Sequence, residues 1–325
     1  MPELPEVEVS ARIAGSALKD SHIQNLLLKD CKLFRPPQQS TLQSQVDTEH
    51  SSFNQEVFWQ HGDLSSLLSD ALPLAPYTFR HGKLMACLFQ AQDARVFCLF
   101  ARLGMTGKFV RRSVDSALHK STKLSLSLVK HSADPTTDLR LDFLNTRMFG
   151  QIWIQCSRYA VSPDQRVEVL RAIFDSEVKR SNMGLDAYEL SSQPISWIKY
   201  IREQANHRQV KTALLDQSLL AGIGNIYAAE CLFTAKAHPL AKFSQLSDEQ
   251  LILMAQGLYE SMTQTLIRSE GQGEVIYGSG LGPKSPFAVY GREGEPCPTC
   301  QAPLAFLRIA GRATVFCKNC QISKI

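Results

Sequence analysis

The sequence predicts an α+β fold with a β domain over residues 1–158, a helical domain over residues 159–286 and a small C-terminal module over residues 287–325. Three observations lead to this prediction. Strand-like apolar runs dominate between residues 83 and 155. Beyond about residue 162, apolar residues recur with helical spacing instead. Four of the nine cysteines lie after residue 296. A length of 325 residues suits more than one domain.

The β domain opens with a helix. Residues 4–19 place apolar side chains among polar ones at helical spacing, which predicts an amphipathic helix. The strands that follow are predicted at Lys83–Phe89, Val96–Leu103, Leu124–Val129, Leu139–Phe143 and Gln151–Gln155. Polar stretches at residues 35–78, 113–122 and 131–138 are interpreted as loops or insertions.

The second half of the chain is predicted to be helical. The predicted helices are Val167–Phe174, Ala187–Leu190, Pro194–Glu203, Lys211–Leu215, Asn225–Thr234 and Ser247–Ser269. Residues 271–287 are rich in glycine and proline, which predicts a loop ahead of the C-terminal module.

Composition limits the classes of protein to which the chain can belong. Hydrophobic residues make up 44% of the chain, enough for a buried core, and the net charge of +4 permits a nucleic-acid partner without requiring one. We find no apolar run of about 18 residues that would predict a membrane span. The opening segment is acidic and proline-rich, unlike a signal peptide. We therefore expect an intracellular, cytoplasmic protein without membrane association.

The C-terminal cysteines have the spacing of a metal site. Cys297 and Cys300 form one C-x2-C pair, Cys317 and Cys320 form another, and sixteen residues separate the pairs. Four thiolates saturate a tetrahedral ion, so the pattern predicts one structural Zn²⁺. Unrelated thiols or two disulfides are the alternatives. Arg312 lies near the tip of the predicted hairpin, where it is either solvated or able to reach a phosphate.

A glycine-rich elbow precedes the predicted helix at Asn225. Gly222 and Gly224 permit tight turns, including turns with positive φ. Asn225 then falls at or near a helix start, where free N–H groups and the helix dipole favour a phosphate. An ordinary corner with Asn225 as N-cap fits these residues equally well.

The N-terminus carries a further candidate functional residue, Pro2. Methionine is normally removed before a small residue, which would leave Pro2 with a free secondary amine. Such an amine can attack an aldehyde-level carbon to form a Schiff base. Glu3 and Glu6 could donate protons beside it. Taken alone, a simple helix start, with prolines in the first turn and acidic residues near the helix dipole, explains the same residues.

These segments together resemble the formamidopyrimidine-DNA glycosylase family, which also includes endonuclease VIII. The matching blocks are the opening PELPEVE at Pro2, LGMTG at Leu103, the elbow from Gly222 to Glu230, and YGREGEPC at Tyr290 with the cysteines behind it. They occur in the same order as in the family.

The resemblance implies an N-terminal β-sandwich with its helix, a helix–two-turns–helix domain and a zinc-finger hairpin, in a monomer that binds damaged double-stranded DNA. By motif, it assigns catalysis to Pro2 as nucleophile on C1′, Glu3 as acid and Lys83 near the lesion's phosphate. Glu6 would lie in the lesion pocket. Asn225, Arg312 and, with a weaker match, Lys211 would hold phosphates around a flipped nucleotide. Met105, Arg147 and Phe149 would fill the space that the base leaves.

The sequence departs from the family in two places. Asn145-Thr146-Arg147-Met148 stands where Asp-Pro-Arg-Arg is usual, so one arginine is missing. The insertion at residues 35–78 is the second departure. The segment 271–287 matches the family's lesion-capping loop without identifying the lesion.

The implied function is base excision repair of oxidised purines by a glycosylase that also cleaves the strand. Three alternatives are kept: a family member that prefers oxidised pyrimidines, a DNA-binding protein that has lost catalysis, and an RNA- or ribosome-associated zinc ribbon. The last would explain the cysteines but not the N-terminus.

Overall fold

The computed structural model describes residues 2–28, 71–130, 138–147, 149–272, 275 and 286–322. The predictions that concern residues 35–70, Met148 and most of the loop at 271–287 lie outside the described residues. The chain divides into two compact units. One comprises Met1–Pro2 and Glu6–Ser181, and the other comprises Glu3–Pro5 and Asn182–Ile325.

The first unit is a β-sandwich, as predicted. Its strands are β1 (Ser21–Leu28), β2 (Leu72–His81), β3 (Leu84–Gln90), β4 (Val96–Arg102), β5 (Lys108–Ser113), β6 (Thr122–Lys130), β7 (Leu139–Leu144) and β8 (Gln151–Cys156). One sheet has the order β1-β6-β7-β5 and the other β2-β3-β4-β8, and neighbouring strands are antiparallel. Apolar side chains from both sheets form a single buried cluster, which is the core of the sandwich.

Helix α1 (Leu4–Leu18) confirms the predicted opening helix. Val7, Ala11 and Ala14 are buried in the sandwich core. At its C-terminus, the Lys130 ammonium donates to the Ala17 carbonyl (3.0 Å) and the Ser21 hydroxyl donates to the Leu18 carbonyl (2.7 Å). These bonds satisfy carbonyls that the end of a helix leaves without partners.

Sequence reasoning missed the three strands β1, β2 and β5, and each of them lies at a sheet edge. Strand β2 overlaps residues 72–78, which were predicted to belong to a loop or insertion, so that prediction was wrong there. It contains two prolines and buries only one of its side chains. Edge strands tolerate proline and need little apolar alternation, which explains why the pattern was weak.

Helix α2 (Arg166–Arg180) belongs to the first unit, so the units divide after Ser181 and not after residue 158. Its Phe174 ring lies 5.5 Å from the ring of Phe79 and 5.9 Å from that of Phe100. The Arg171 guanidinium lies 3.8 Å from the centre of the Phe79 ring. The helix therefore buries its apolar face on the sheet that holds these aromatic residues.

The second unit is helical and ends in a hairpin. It contains β9 (Leu185–Asp186), α3 (Ala187–Ser191), α4 (Pro194–Gln204), α5 (Val210–Leu214), β10 (Leu220–Ala221), α6 (Asn225–Thr234), α7 (Asp248–Ser269), β11 (Ala305–Ile309) and β12 (Arg312–Phe316). Trp197, Tyr227 and Phe243 are fully buried in its main core. In the part of the chain that the structure describes, no helix has the length and apolar character needed to cross a membrane.

Candidate active site and metal centre

Glu3 is the best-defined catalytic candidate. Its side chain is only 2% exposed and lies at the start of helix α6. One carboxylate oxygen accepts from the backbone N–H of Ile226 (2.9 Å), and the other accepts from those of Gly224 (3.1 Å) and Tyr227 (3.3 Å). A helix N-terminus leaves these N–H groups without helical partners, and its dipole favours negative charge. The elbow therefore holds Glu3 as a carboxylate in one orientation.

The two glycines of the elbow are required for different reasons. Gly222 has φ of 110°, a conformation that favours glycine. Gly224 has φ of −125°, which any residue can adopt. A Cβ on Gly224, however, would lie 2.3 Å from Cδ of Glu3 and 2.4 Å from its Oε1. The second glycine is thus explained by the close approach of the Glu3 carboxylate and not by a positive φ.

Asn225 is the first residue of α6, and the N-cap is Gly224. The alternative of Asn225 as N-cap is therefore wrong. Its side-chain Nδ2 donates to the carbonyl of Ala313 in the hairpin (2.7 Å). An amide nitrogen carries two N–H donors, so this bond leaves a second one for an acceptor such as a phosphate.

Lys211 is fully buried on helix α5, and its ammonium donates to the Asn225 carbonyl (3.2 Å). Burial lowers the pKa of this lysine from 10.5 to about 8. Nearby Cys231 and Glu3 act in the opposite direction. This placement gives no support to the predicted direct phosphate contact.

Arg312 begins strand β12 and pairs with Ile309 across a two-residue turn. Both turn residues, Ala310 and Gly311, have positive φ, as a type I′ hairpin turn requires. Arg312 therefore lies at the tip of the hairpin, as predicted, and the residue is half-buried there. Its phosphate contact stays a prediction.

The three residues predicted to fill the vacated base position lie on two neighbouring loops of the sandwich. Met105 is 41% and Phe149 65% exposed, unusual values for large apolar side chains. The Arg147 backbone N–H donates to the Thr106 hydroxyl (3.0 Å), which joins the two loops. A Cβ on Gly104 would lie 2.3 Å from the Phe149 carbonyl carbon, so the loops are in close backbone contact. The structure thus brings this trio together.

The remaining candidates also belong to the first unit. Pro2 is buried and directly precedes the segment that leads into α1. Glu6 is half-buried in the first turn of α1. Lys83 is half-buried in the turn between β2 and β3, which it shares with Gly82. Their catalytic and lesion-binding roles stay predictions.

The four clustered cysteines form a zinc site. Their sulfur atoms all lie within 4.8 Å of one another. Cys297 and Cys320 are 3.9 Å apart, and Cys300 and Cys317 are 3.5 Å apart. Zn–S bonds of about 2.3 Å in a tetrahedron imply sulfur separations of about 3.8 Å, which these distances match. Four sulfur ligands leave no open position, so the metal is structural.

We expect elemental analysis to find one zinc per chain. Cys317→Ser should reduce the zinc content and lower the melting temperature, because zinc binding in such modules contributes folding free energy. Cys87→Ala, which changes a buried thiol of the sandwich core, is the control and should retain the metal. Full zinc content in Cys317→Ser would contradict this assignment.

Sequence reasoning missed Glu230 on helix α6. Its carboxylate accepts from three successive backbone N–H groups, those of Ala288 (2.7 Å), Val289 (3.0 Å) and Tyr290 (2.9 Å). Burial raises the pKa of this carboxyl, although the three N–H donors oppose the shift. The residue fixes the chain that leads into the zinc module. Nothing in its sequence spacing pointed to those partners.

Two family models match the second half of the chain. The formamidopyrimidine-DNA glycosylase H2TH domain matches residues 184–276, and the zinc finger found in FPG and IleRS matches residues 294–322. These matches agree with the helical elbow and with the cysteine cluster.

Curated relatives and solved structures point the same way. The formamidopyrimidine-DNA glycosylase of Synechococcus sp. is 34% identical over 229 residues, which are 67% of this chain and 71% of the relative. That of Corynebacterium diphtheriae is 26% identical over 99% of both chains. Lactococcus lactis Fpg (MutM), solved with DNA containing N7-benzyl-Fapy-dG, shares the fold with a TM-score of 0.67 at 23% identity, over 99% of this chain and 100% of that one. On this combination of sequence, domain models and architecture, the chain belongs to the formamidopyrimidine-DNA glycosylase family.

Proposed function

We propose that the protein binds damaged double-stranded DNA as a monomer, excises oxidised purines such as 8-oxoguanine and formamidopyrimidines, and then cleaves the strand. The observation that carries this proposal is the buried Glu3 carboxylate, fixed by three backbone N–H groups directly after a candidate N-terminal nucleophile. A protein that binds DNA without catalysis would have no need for a buried carboxylate fixed beside an N-terminal amine.

The first step joins the protein to the sugar. After removal of Met1, the Pro2 nitrogen attacks C1′ of the damaged nucleotide, and the bond from C1′ to the base breaks. The departing base takes a proton from solvent. The bond between C1′ and O4′ then opens, O4′ takes up a proton, and an iminium links Pro2 to C1′. Loss of a proton from C2′ releases the 3′ phosphate, and a further loss from C4′ releases the 5′ phosphate.

Glu3 is proposed to move the protons in this step. As a carboxylate, Glu3 can accept the proton that Pro2 loses on attack. The protonated acid can then donate to O4′, which is the role that the resemblance assigns to it. Lys83 is proposed to bind the phosphate beside the lesion, and Glu6 is proposed to contact the lesion itself.

The other candidates are proposed to hold the DNA open. Extruding a nucleotide costs a few kcal/mol of stacking and pairing energy. Exposed Met105 and Phe149 can replace lost stacking, and the Arg147 guanidinium can donate to the unpaired base. Asn225, whose side chain donates to the Ala313 carbonyl, and Arg312, the residue before Ala313, are proposed to bind neighbouring phosphates.

A second candidate is the excision of oxidised pyrimidines. One solved structure with the same fold, at 24% identity and a TM-score of 0.68, is that of Lactococcus lactis Fpg bound to DNA containing an oxidised pyrimidine. The fold therefore accommodates both kinds of lesion.

Borohydride trapping tests the proposal. The wild-type protein should form a covalent adduct with an 8-oxoguanine duplex, and without borohydride it should leave phosphates on both sides of the gap. Pro2→Gly, or a tag that remains on the N-terminus, should abolish trapping on the damaged duplex, because the secondary amine is lost or blocked.

Parallel duplexes with an oxidised pyrimidine, an abasic site or no lesion identify the substrate class. Faster cleavage at the pyrimidine would favour the second candidate. Equal trapping by the blocked protein would eliminate Pro2 as the nucleophile. Binding with neither cleavage nor trapping on any duplex would indicate a protein that only recognises damage.

A further inference from the structure

We propose that Gln217 is a positioning residue that fixes the N-terminal nucleophile by holding the elbow against the residues that follow Pro2. The proposal rests on the proposed function, because it concerns the placement of the Pro2 amine. Gln217 lies between helix α5 and strand β10 and matched none of the motifs that the sequence suggested.

The Gln217 side chain bonds to the backbone of two adjacent residues at the start of the elbow, Gly222 and Ile223. Its Oε1 accepts from the backbone N–H of Gly222 (3.0 Å). Its Nε2 donates to the carbonyls of Ile223 (2.9 Å) and Leu215 (3.1 Å). Both hydrogens of the amide and its oxygen are thus used within the unit.

One peptide group connects Gln217 to Glu3. The Ile223 carbonyl accepts from Gln217, and the N–H of the same peptide, which belongs to Gly224, donates to Glu3 Oε2 (3.1 Å). A peptide group is planar and rigid, so the orientation of its carbonyl fixes that of its N–H. A rotation of this peptide that breaks the bond to Gln217 also turns the N–H away from Glu3.

A second link runs through Gly222 to the backbone beside the nucleophile. The Gly222 N–H donates to Gln217, and the Gly222 carbonyl accepts from the Leu4 N–H (3.0 Å). Glu3 and Leu4, the two residues that follow Pro2, are therefore both bonded to the segment that Gln217 holds. Displacement of a reacting group by about 1 Å can slow a reaction by about 100-fold, so this support bears on the rate.

Gln217→Met tests the proposal, because methionine keeps the length of the side chain and removes its hydrogen bonds. We expect the single-turnover rate of adduct formation with an abasic duplex to fall at least tenfold. The dissociation constant for a duplex with a non-cleavable abasic analogue should stay within twofold, because phosphate-binding residues are unchanged. Backbone amide exchange at Leu4 should become faster.

Gln250→Met is the matched control. Gln250 also accepts from one backbone N–H, that of Ser247 (3.2 Å), and donates to two carbonyls, those of Ala235 (3.2 Å) and Lys236 (3.4 Å). It lies in the same unit but makes none of the elbow's bonds. Its loss should lower the melting temperature without changing the adduct rate or the exchange at Leu4.

Gln217→Glu is the second test variant, to be used if Gln217→Met does not fold. It keeps an acceptor for Gly222 and replaces the donor that faces the Leu215 and Ile223 carbonyls, so the same slowing is expected. A wild-type rate with unchanged exchange at Leu4 in either folded variant would overturn the role of Gln217. Failure of the wild-type protein itself to form the adduct would instead refute the proposed function, and the exchange at Leu4 would still decide whether Gln217 holds this segment.

Discussion

Gly224→Ala is expected to lower the single-turnover excision rate at least 100-fold. The backbone at Gly224 suits alanine, but the new methyl group would lie 2.3–2.5 Å from three atoms of the Glu3 side chain. Glu3 must then leave its three N–H donors. A shift of about 1 Å in a catalytic group is enough to cause a loss of about 100-fold. Quench-flow measurement on an 8-oxoguanine duplex reads the rate directly.

A double-mutant cycle tests whether displacement of the Glu3 side chain causes the loss of excision rate in Gly224→Ala. In a Glu3→Ala background, the three nearest atoms that the methyl group would meet are absent, so Gly224→Ala should not lower the residual rate further. Gly15→Ala in helix α1 is the control, since its Cβ would meet nothing closer than 3.5 Å. An equal loss from Gly224→Ala in both backgrounds would show that the effect does not pass through Glu3.

Lys211→Met is expected to stabilise the protein by about 2 kcal/mol at pH 7. A pKa of about 8 in the folded state, against 10.5, corresponds to about 3 kcal/mol of destabilisation by the buried ammonium. Loss of the hydrogen bond to the Asn225 carbonyl should offset about 1 kcal/mol of the gain. Denaturant unfolding of both proteins measures the difference.

The pH dependence distinguishes this explanation from a packing effect. Between pH 8 and about 10.5, the unfolded lysine keeps its proton while the folded one loses it, so the wild-type free energy of unfolding should rise with pH. The advantage of the variant should therefore be full below pH 8 and disappear above about pH 10.5. Lys199→Met, at an exposed position of helix α4, should change stability little at any pH. A gain for Lys211→Met that does not vary with pH would contradict the buried charge as its cause.

Local patterns in the sequence were sufficient for several of these features. The zinc site follows from four cysteines whose spacing by itself determines their chemistry. The central strands of the sandwich carry apolar side chains along most of their length, which the pattern of residues reveals. The helix at Asn225 was predicted with the bounds that the structure shows.

Contacts between residues far apart in the sequence could not be predicted in the same way. Nothing in the N-terminal segment shows that the Glu3 carboxylate meets the backbone of residues 224–227. For the same reason, Gly224 was attributed to a turn when its cause is the approach of Glu3. Lys211 was predicted only as a phosphate contact, and its full burial could not be read from the sequence, because lysine is seldom buried.

Helix α6 is bonded at two places to segments from distant parts of the chain, which restricts its length. The N–H groups at its start bind Glu3, and Glu230, within the helix, binds residues 288–290. One inserted residue between these contacts would turn Glu230 by about 100° and advance it by about 1.5 Å. Both carboxylates could not then keep their partners. Insertions and deletions should therefore be far less tolerated between Asn225 and Glu230 than in the loops of either unit.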